Sequence, residues 1–223
     1  MVAAPERIVM LPDREQILQL SYAEFVARVD GGVHAEWVDG EAIVFMSPKE
    51  RHQALVFFLS LLVGNFVLWL DRGIVRTAPY EMRILPDGPA REPDILFVAR
   101  EHLERITDDG LVGPADLVIE VVSEESFKRD RDTKFYEYEA GGVPEYWFLD
   151  PRPHRERAEF YRLDAAGRYV PILPDAHGRY HSVALPSFWL DPKWLWQSPH
   201  PNPLLLLAEI APQAIRLSRP PEQ

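Results

Sequence analysis

Two acidic residues lie in apolar stretches of the sequence that predict buried strands. Glu120 is inside the run 117–122, and Asp94 follows Pro93 at the start of the run 95–98. An ionised carboxylate in a buried strand is costly unless a cation or hydrogen-bond donors compensate its charge. If the two runs are neighbouring strands, both carboxylates converge, and carboxylate oxygens are ligands that hard cations prefer. The pattern therefore predicts a Mg²⁺ or Mn²⁺ site.

A lysine follows on the next predicted helix, over about 124–140. Asp130, Lys134 and Tyr138 are spaced four residues apart, so they share one helical face. If that face turns toward Glu120, the Lys134 ammonium could hold an attacking water or offset the charge developing on a phosphate. A buried ion pair without catalysis predicts the same contact. For Asp130 we favour a solvent-facing pair with Lys134, worth about 0.3 to 0.5 kcal/mol.

Composition limits the chemistry that the chain can perform. Its 223 residues, 47% hydrophobic and 26% charged, are typical of one soluble globular domain. Because there is no cysteine, a disulfide framework, a thiolate metal site and a thiol nucleophile are excluded. The formal net charge of −11 disfavours nonspecific affinity for nucleic acid over the whole surface, although a local basic face could exist.

Two segments bear on localisation. Residues 1–16 carry five charged side chains and no long apolar core, which argues against a signal peptide and favours a cytoplasmic protein. The most apolar stretch, 54–70, contains Ser60, Gly64 and Asn65. It is short for a bilayer core of about 30 Å, so we expect a buried helix and no membrane partner.

The predicted core elements are, in chain order, a long helix, three strands, a second helix and a fourth strand; a short helix and a hairpin come before them. Capping boxes at 21–24 and 47–50 predict a short helix to about 30 and a long helix to about 73. Between them, Asp39 and Gly40 predict the turn of a hairpin formed by 35–38 and 41–46. The remaining predicted strands cover 74–85, 94–98, 116–122 and 145–149.

The domain organisation follows from these elements. We expect a single domain over 1–197, with its core at about 47–151 and a β appendage of short strands at about 157–190. The residues 198–223 are rich in proline and could form a tail, a partner-binding segment or a short helix.

An ordered set of motifs resembles the Uma family of bacterial putative restriction endonucleases, within the PD-(D/E)XK nuclease superfamily. The resemblance runs from about Ser21 to Leu195, and the set is specific although each motif alone is weak. The motifs are Trp37-Val38-Asp39-Gly40-Glu41, Met46-Ser47-Pro48 with His52-Gln53, Glu92-Pro93-Asp94-Ile95-Leu96-Phe97-Val98, Asp116-Leu117-Val118-Ile119-Glu120-Val121-Val122-Ser123, Arg129-Asp130 with Lys134, and Gly142-Val143-Pro144-Glu145-Tyr146-Trp147-Phe148-Leu149-Asp150-Pro151.

The resemblance implies a fold and a set of site residues. The fold is an α/β (α+β) restriction-endonuclease-like core, a mixed sheet flanked by helices, with the β-hairpin and the β appendage added. Asp94 and Glu120 are implied as metal ligands together with the main-chain carbonyl of Val121, and Lys134 as the catalytic lysine. In the superfamily the lysine usually lies two residues after the acidic strand residue. That position is Val122 here, so Lys134 must substitute from the helix.

Four further residues are accessory candidates. Glu36 and His52 match recurring family positions, and Asp130 and Tyr138 share the helical face of Lys134. We expect His52 to be a helix-surface histidine or a satisfied core histidine rather than a metal ligand. The other histidines show no paired ligand spacing, so we do not expect zinc.

The sequence supports three functional hypotheses. The first is a Mg²⁺-dependent endonuclease that hydrolyses DNA through an activated water, acting as a homodimer because each strand of a duplex needs a site. The second is a catalytically silent nucleic-acid-binding or accessory protein of a mobile element. The third is a structural or interaction protein in which Glu120 and Lys134 form a buried ion pair.

Overall fold

The computed structural model describes residues 16–28, 35–44, 49–85, 88–123 and 129–212, without the side chains at 129 and 130. The strands are β1 (Gln16–Gln19), β2 (Ala35–Val38), β3 (Glu41–Val44), β4 (Gly73–Thr77), β5 (Met82–Arg83), β6 (Ala90–Arg91), β7 (Ile95–Ala99), β8 (Leu111–Val112), β9 (Leu117–Val121), β10 (Glu145–Asp150), β11 (Arg157–Leu163), β12 (Tyr169–Pro171), β13 (Tyr180–His181) and β14 (Trp189–Leu190). The α-helices are α1 (Tyr22–Arg28), α2 (Glu50–Trp69), α3 (Phe135–Ala140) and α4 (Pro203–Ile210). A π-helical turn, Arg129–Lys134, leads directly into α3.

The main sheet has six strands in the order β12-β11-β10-β9-β7-β4. β9 and β10 are parallel, and the segment that connects them contains α3, as a parallel crossover requires. The other neighbours are antiparallel. Every residue of β7, β9 and β10 is buried, which explains why these strands are almost continuous apolar runs. The mixed sheet flanked by helices confirms the predicted fold class.

Helix α2 covers one face of this sheet. Seven of its side chains are buried, and they pack with residues such as Phe97, Ile119 and Trp147 in the largest core cluster. Among the described helices, α2 is long and apolar enough to cross a membrane by length and composition. The predicted role as a core helix is confirmed by this packing.

A second six-stranded sheet, in the order β1-β3-β2-β6-β5-β8, lies beside the core. Its hairpin of β2 and β3 turns at Asp39 and Gly40, both with positive φ (49° and 89°), as the Asp-Gly signal predicts. β2 pairs with β6 through Trp37 and Ala90. The second sheet thereby brings two polar residues, Glu36 on β2 and Arg91 on β6, toward the same region.

Some elements differ from the predicted bounds. The strand expected over 74–85 is split into β4 and β5, which belong to different sheets. The first part of the helix expected over 124–140 lies outside the described residues, as do the first two residues of the capping box at 47–50. After 198, the short-helix alternative is the observed one: α4 packs on α2 and contributes Leu206, Leu207 and Ile210 to the main core. The core therefore extends beyond residue 197.

Candidate active site

Glu120 lies on β9, and Asp94 directly precedes β7, the antiparallel neighbour of β9. β7 and β9 are antiparallel with Ile95 paired to Ile119, so the next position of this register sets Asp94 against Glu120. Opposed residues of an antiparallel pair share one face of the sheet. Both are buried, with 7% and 2% of their surface exposed. The predicted adjacency of the two strands is confirmed, while the metal-binding role remains a prediction.

Both carboxylate oxygens of Asp94 have partners. The main-chain N–H of Val121 donates to Oδ2 at 2.7 Å, and Nε2 of His52 lies 3.2 Å from Oδ1. Burial alone would raise the pKa of Asp94, but the His52 contact, the Val121 hydrogen bond and the charge of Lys134 together lower it. Asp94 is therefore ionised at neutral pH.

Glu120 is held by two side chains from the segment after β9. Nζ of Lys134 lies 3.1 Å from Oε1 of Glu120, and the hydroxyl of Tyr138 donates to the same oxygen at 2.7 Å. The expected shared face of Lys134 and Tyr138 is confirmed, although Lys134 sits on the π-helical turn rather than in α3. Burial, followed by the charges of Glu120 and Glu36, raises the pKa of Tyr138 well above its usual value, so its hydroxyl remains a donor.

Glu36 contacts Lys134 from the second sheet. Its Oε1 lies 2.8 Å from Nζ of Lys134, and its Oε2 accepts a 2.9 Å hydrogen bond from NH1 of Arg91. Glu36 has no exposed surface, and Lys134 only 4%. The Lys134 ammonium therefore lies between two buried carboxylates, and the family position matched by Glu36 belongs to the same polar cluster.

Arg91 and Glu137 complete the cluster, and the sequence reasoning did not identify either. Nε and NH2 of Arg91 donate to the two carboxylate oxygens of Glu137 at 2.8 and 2.7 Å, a bidentate pair. Burial would lower the pKa of Arg91, but the charges of Glu36 and Glu137 raise it above its already high value. The only signal for Arg91 in the sequence was its position directly before the motif that contains Asp94. Glu137 lies one turn after Lys134.

Glu92 is a further acid beside the cluster. Its Oε2 accepts a 3.1 Å hydrogen bond from the main-chain N–H of Ala35. Burial and repulsion from Glu36 raise the pKa of Glu92 to about 8. At neutral pH this carboxyl is mostly protonated, so it adds little negative charge to the cluster around Glu36 and Lys134.

The donor chemistry of Asp94 and Glu120 fits a hard divalent cation. No group of three or more histidine or acidic side chains within the described residues has the arrangement of a metal site. Mg²⁺ commonly binds one or two protein carboxylates and completes its shell with waters and phosphate oxygens. Two carboxylates with the predicted Val121 carbonyl would satisfy that pattern, and His52 is placed to orient Asp94. The side chain of Asp130, the fourth accessory candidate, lies outside the described residues.

A second buried glutamate provides a contrast. Glu145 is fully buried at the start of β10. Its carboxylate accepts hydrogen bonds from neutral donors: the side chains of Trp147, Tyr180 and Ser182, and the main-chain N–H groups of Val183 and Ala184. These donors satisfy the carboxylate without a cation. The hydrogen bonds of Glu145 therefore indicate a structural role. Glu120, in contrast, contacts the Lys134 ammonium and lies opposite Asp94.

Comparison with known proteins identifies a family and a fold for this chain. The Uma2 family, described as "Putative restriction endonuclease", matches residues 15–193. A crystal structure of a putative nuclease of the family DUF820 from Anabaena variabilis superimposes with a TM-score of 0.61 at 16% identity, covering 78% of this chain and 96% of that one. At this identity the likeness shows the fold alone. Among curated proteins, none matches the chain.

Proposed function

The chain belongs to the Uma2 family of putative restriction endonucleases, and from that premise we propose that it hydrolyses DNA phosphodiester bonds with a bound Mg²⁺ or Mn²⁺ ion. The observation that carries the proposal is the contact of the buried Lys134 ammonium with Glu120, the acid that lies opposite Asp94 in the strand register. The ion pair alone would also suit a structural role, but the second buried acid across from it supplies the further carboxylate that a hard cation needs.

The residues have distinct roles in this proposal. Asp94 and Glu120 would hold the cation, together with the main-chain carbonyl of Val121. A bound divalent cation would lower the pKa of a water and offset phosphate charge. Lys134 donates hydrogen bonds to the attacking water or to a phosphoryl oxygen. Its positive charge stabilises the negative charge that grows as the new P–O bond forms and the old one breaks. His52 keeps Asp94 ionised and oriented.

The competing hypothesis is that the protein keeps the nuclease fold but does not cleave DNA. The full engagement of Asp94, by Val121 on one oxygen and His52 on the other, favours it. In that case Asp94 and the Glu120 cluster would only stabilise the core. Cleavage of both strands of a duplex needs two sites, so the endonuclease proposal also includes a homodimer, which light scattering of the purified protein would test.

The decisive experiment is a DNA cleavage assay. Wild type is incubated with supercoiled plasmid and Mn²⁺ or Mg²⁺, and with EDTA as the metal-free control. We expect nicking that requires metal and is lost in Asp94→Asn and Lys134→Met. Lys193→Met, which changes an exposed lysine, should cleave like wild type. Domains are typically stable by about 5 to 15 kcal/mol, and melting curves should establish that each variant is folded at the assay temperature. Equal cleavage by wild type and Lys134→Met would identify a contaminant and reject the proposal.

A further inference from the structure

Arg91, Glu36 and Glu137 form a three-residue cluster, here called the Arg91 clamp, that joins the second sheet to the segment carrying Lys134. Arg91 lies on β6, Glu36 on β2 and Glu137 on α3. The guanidinium binds Glu137 through two hydrogen bonds and Glu36 through one. The clamp therefore connects three elements that are distant in sequence.

Glu36 divides its two oxygens between the clamp and the candidate site. Oε2 accepts from Arg91, and Oε1 contacts Lys134 Nζ at 2.8 Å. The ammonium then reaches Glu120 at 3.1 Å. Charges alternate along this path, from Glu137 through Arg91, Glu36 and Lys134 to Glu120. Each buried charge has an opposite neighbour, which is the condition under which such charges are tolerated.

We propose that Glu36 and Arg91 are positioning residues that hold the Lys134 ammonium against Glu120. This inference rests on the proposed nuclease function. Lysine has a flexible stem that loses about 2 kcal/mol of rotamer entropy when it is fixed. A carboxylate on the far side of Nζ limits that freedom before substrate binds. Arg91 in turn fixes Glu36, because a bidentate guanidinium pair defines an orientation as well as a distance.

The Arg91 clamp differs from a second arginine–glutamate pair on α3, which is partly exposed. Glu139, two residues after Glu137, also receives an arginine: NH1 of Arg168 lies 3.2 Å from its Oε1. Arg168 is 67% exposed on its side chain, and no contact joins this pair to Lys134 among those described. The pair of Arg168 and Glu139 therefore provides a matched control on the same helix.

The kinetic test uses the full chain with Mn²⁺ and plasmid DNA. Glu36→Gln removes the charge at nearly constant shape, and we expect kcat to fall by about 10-fold or more with KM within about twofold, because ground-state DNA binding does not use this contact. Glu36→Asp, which keeps the charge, should recover part of kcat. Arg91→Lys should lower kcat because it loses the bidentate geometry, and Arg168→Lys should leave it unchanged.

A second readout does not depend on cleavage. The chain has four lysines, Lys49, Lys128, Lys134 and Lys193, so acylation of each can be followed by mass spectrometry. We expect Lys134 to be acylated several-fold faster, relative to exposed Lys193, in Glu36→Gln than in wild type. In Arg168→Lys, Lys134 should be acylated at the wild-type rate.

The two readouts separate failure of the inference from failure of the proposed function. If wild type cleaves and Glu36→Gln has the wild-type kcat, the inference is overturned while the nuclease function stands. If wild type does not cleave with metal, the proposed function fails and acylation alone decides. An unchanged Lys134 acylation rate would then overturn the inference. If Glu36→Gln does not fold, Arg91→Lys carries the same comparisons, since it keeps its charge and loses only the bidentate geometry.

Discussion

The main-chain N–H of Val121 donates a 2.7 Å hydrogen bond to Oδ2 of Asp94. This bond ties the side chain at the start of β7 to the backbone at the end of β9. Asp94 is therefore fixed in part by the backbone of the neighbouring strand, and the register of β7 and β9, extended by one residue, sets it opposite Glu120. A site built on strands holds its geometry before a ligand arrives.

The first prediction concerns metal-linked stability. After treatment with EDTA, wild type should gain thermal stability on addition of Mn²⁺, by about 2.7 kcal/mol when the metal reaches a hundred times its Kd. Asp94→Asn should lose most of this gain because a carboxylate ligand is gone. Asp108→Asn, at an exposed position, is the control and should respond like wild type. Equal Mn²⁺ shifts in Asp94→Asn and wild type would place any bound metal elsewhere.

The second prediction concerns the stability contributed by Lys134. Lys134→Met should reduce the free energy of unfolding by about 3 to 5 kcal/mol, because it leaves Glu36 and Glu120 buried without the ammonium between them. Lys193→Met should change it by less than about 0.5 kcal/mol. Urea denaturation at neutral pH measures both. A loss for Lys134→Met as small as that of Lys193→Met would mean that the buried contacts are not formed in solution.

The third prediction isolates the hydroxyl of Tyr138. Tyr138→Phe removes the 2.7 Å donor to Glu120 and should cost about 1 to 3 kcal/mol, since a buried charged acceptor loses a partner. Tyr136, on the same helix, is 59% exposed, so Tyr136→Phe should be nearly neutral. Chemical denaturation of the pair gives the comparison. A neutral effect of Tyr138→Phe would show that Glu120 finds a replacement donor.

The fourth prediction concerns pH. The pKa of Glu92 is raised to about 8 from an ordinary value near 4.5, so the folded state binds a proton more tightly than the unfolded state. The stabilisation is fully present below about pH 4.5 and is lost as the pH rises through about 8. Relative to Glu92→Gln, wild type should lose on the order of a few kcal/mol between pH 5 and 9.

Thermal melts of wild type and Glu92→Gln at pH 5, 7 and 9 test this prediction. Glu101→Gln, at an exposed position, is the control and should follow wild type at each pH. Parallel melting profiles for Glu92→Gln and wild type would show that Glu92 titrates normally, and that the site carries one more negative charge at neutral pH.

Much of the site was accessible from sequence because each residue has a local signal. Glu120 interrupts an apolar run, Asp94 opens another, and Lys134 and Tyr138 are spaced for one helical face. These patterns reflect strand and helix periodicity, which depends on neighbouring residues alone. The Asp-Gly hairpin turn and the burial of the long apolar helix α2 were predictable for the same reason.

The Arg91 clamp and the position of α4 were decided by the tertiary structure. Arg91 lies 55 residues from Glu36 and 46 from Glu137, and its strand β6 has only two residues, too few to show a period. For His52 the sequence left open a helix-surface or a core position, and packing of α2 on the sheet places it, largely buried, beside Asp94. Likewise, α4 lies in the core because α2 offers it an apolar face. Contacts of this kind depend on how separate elements meet in three dimensions, and no stretch of sequence encodes them by itself.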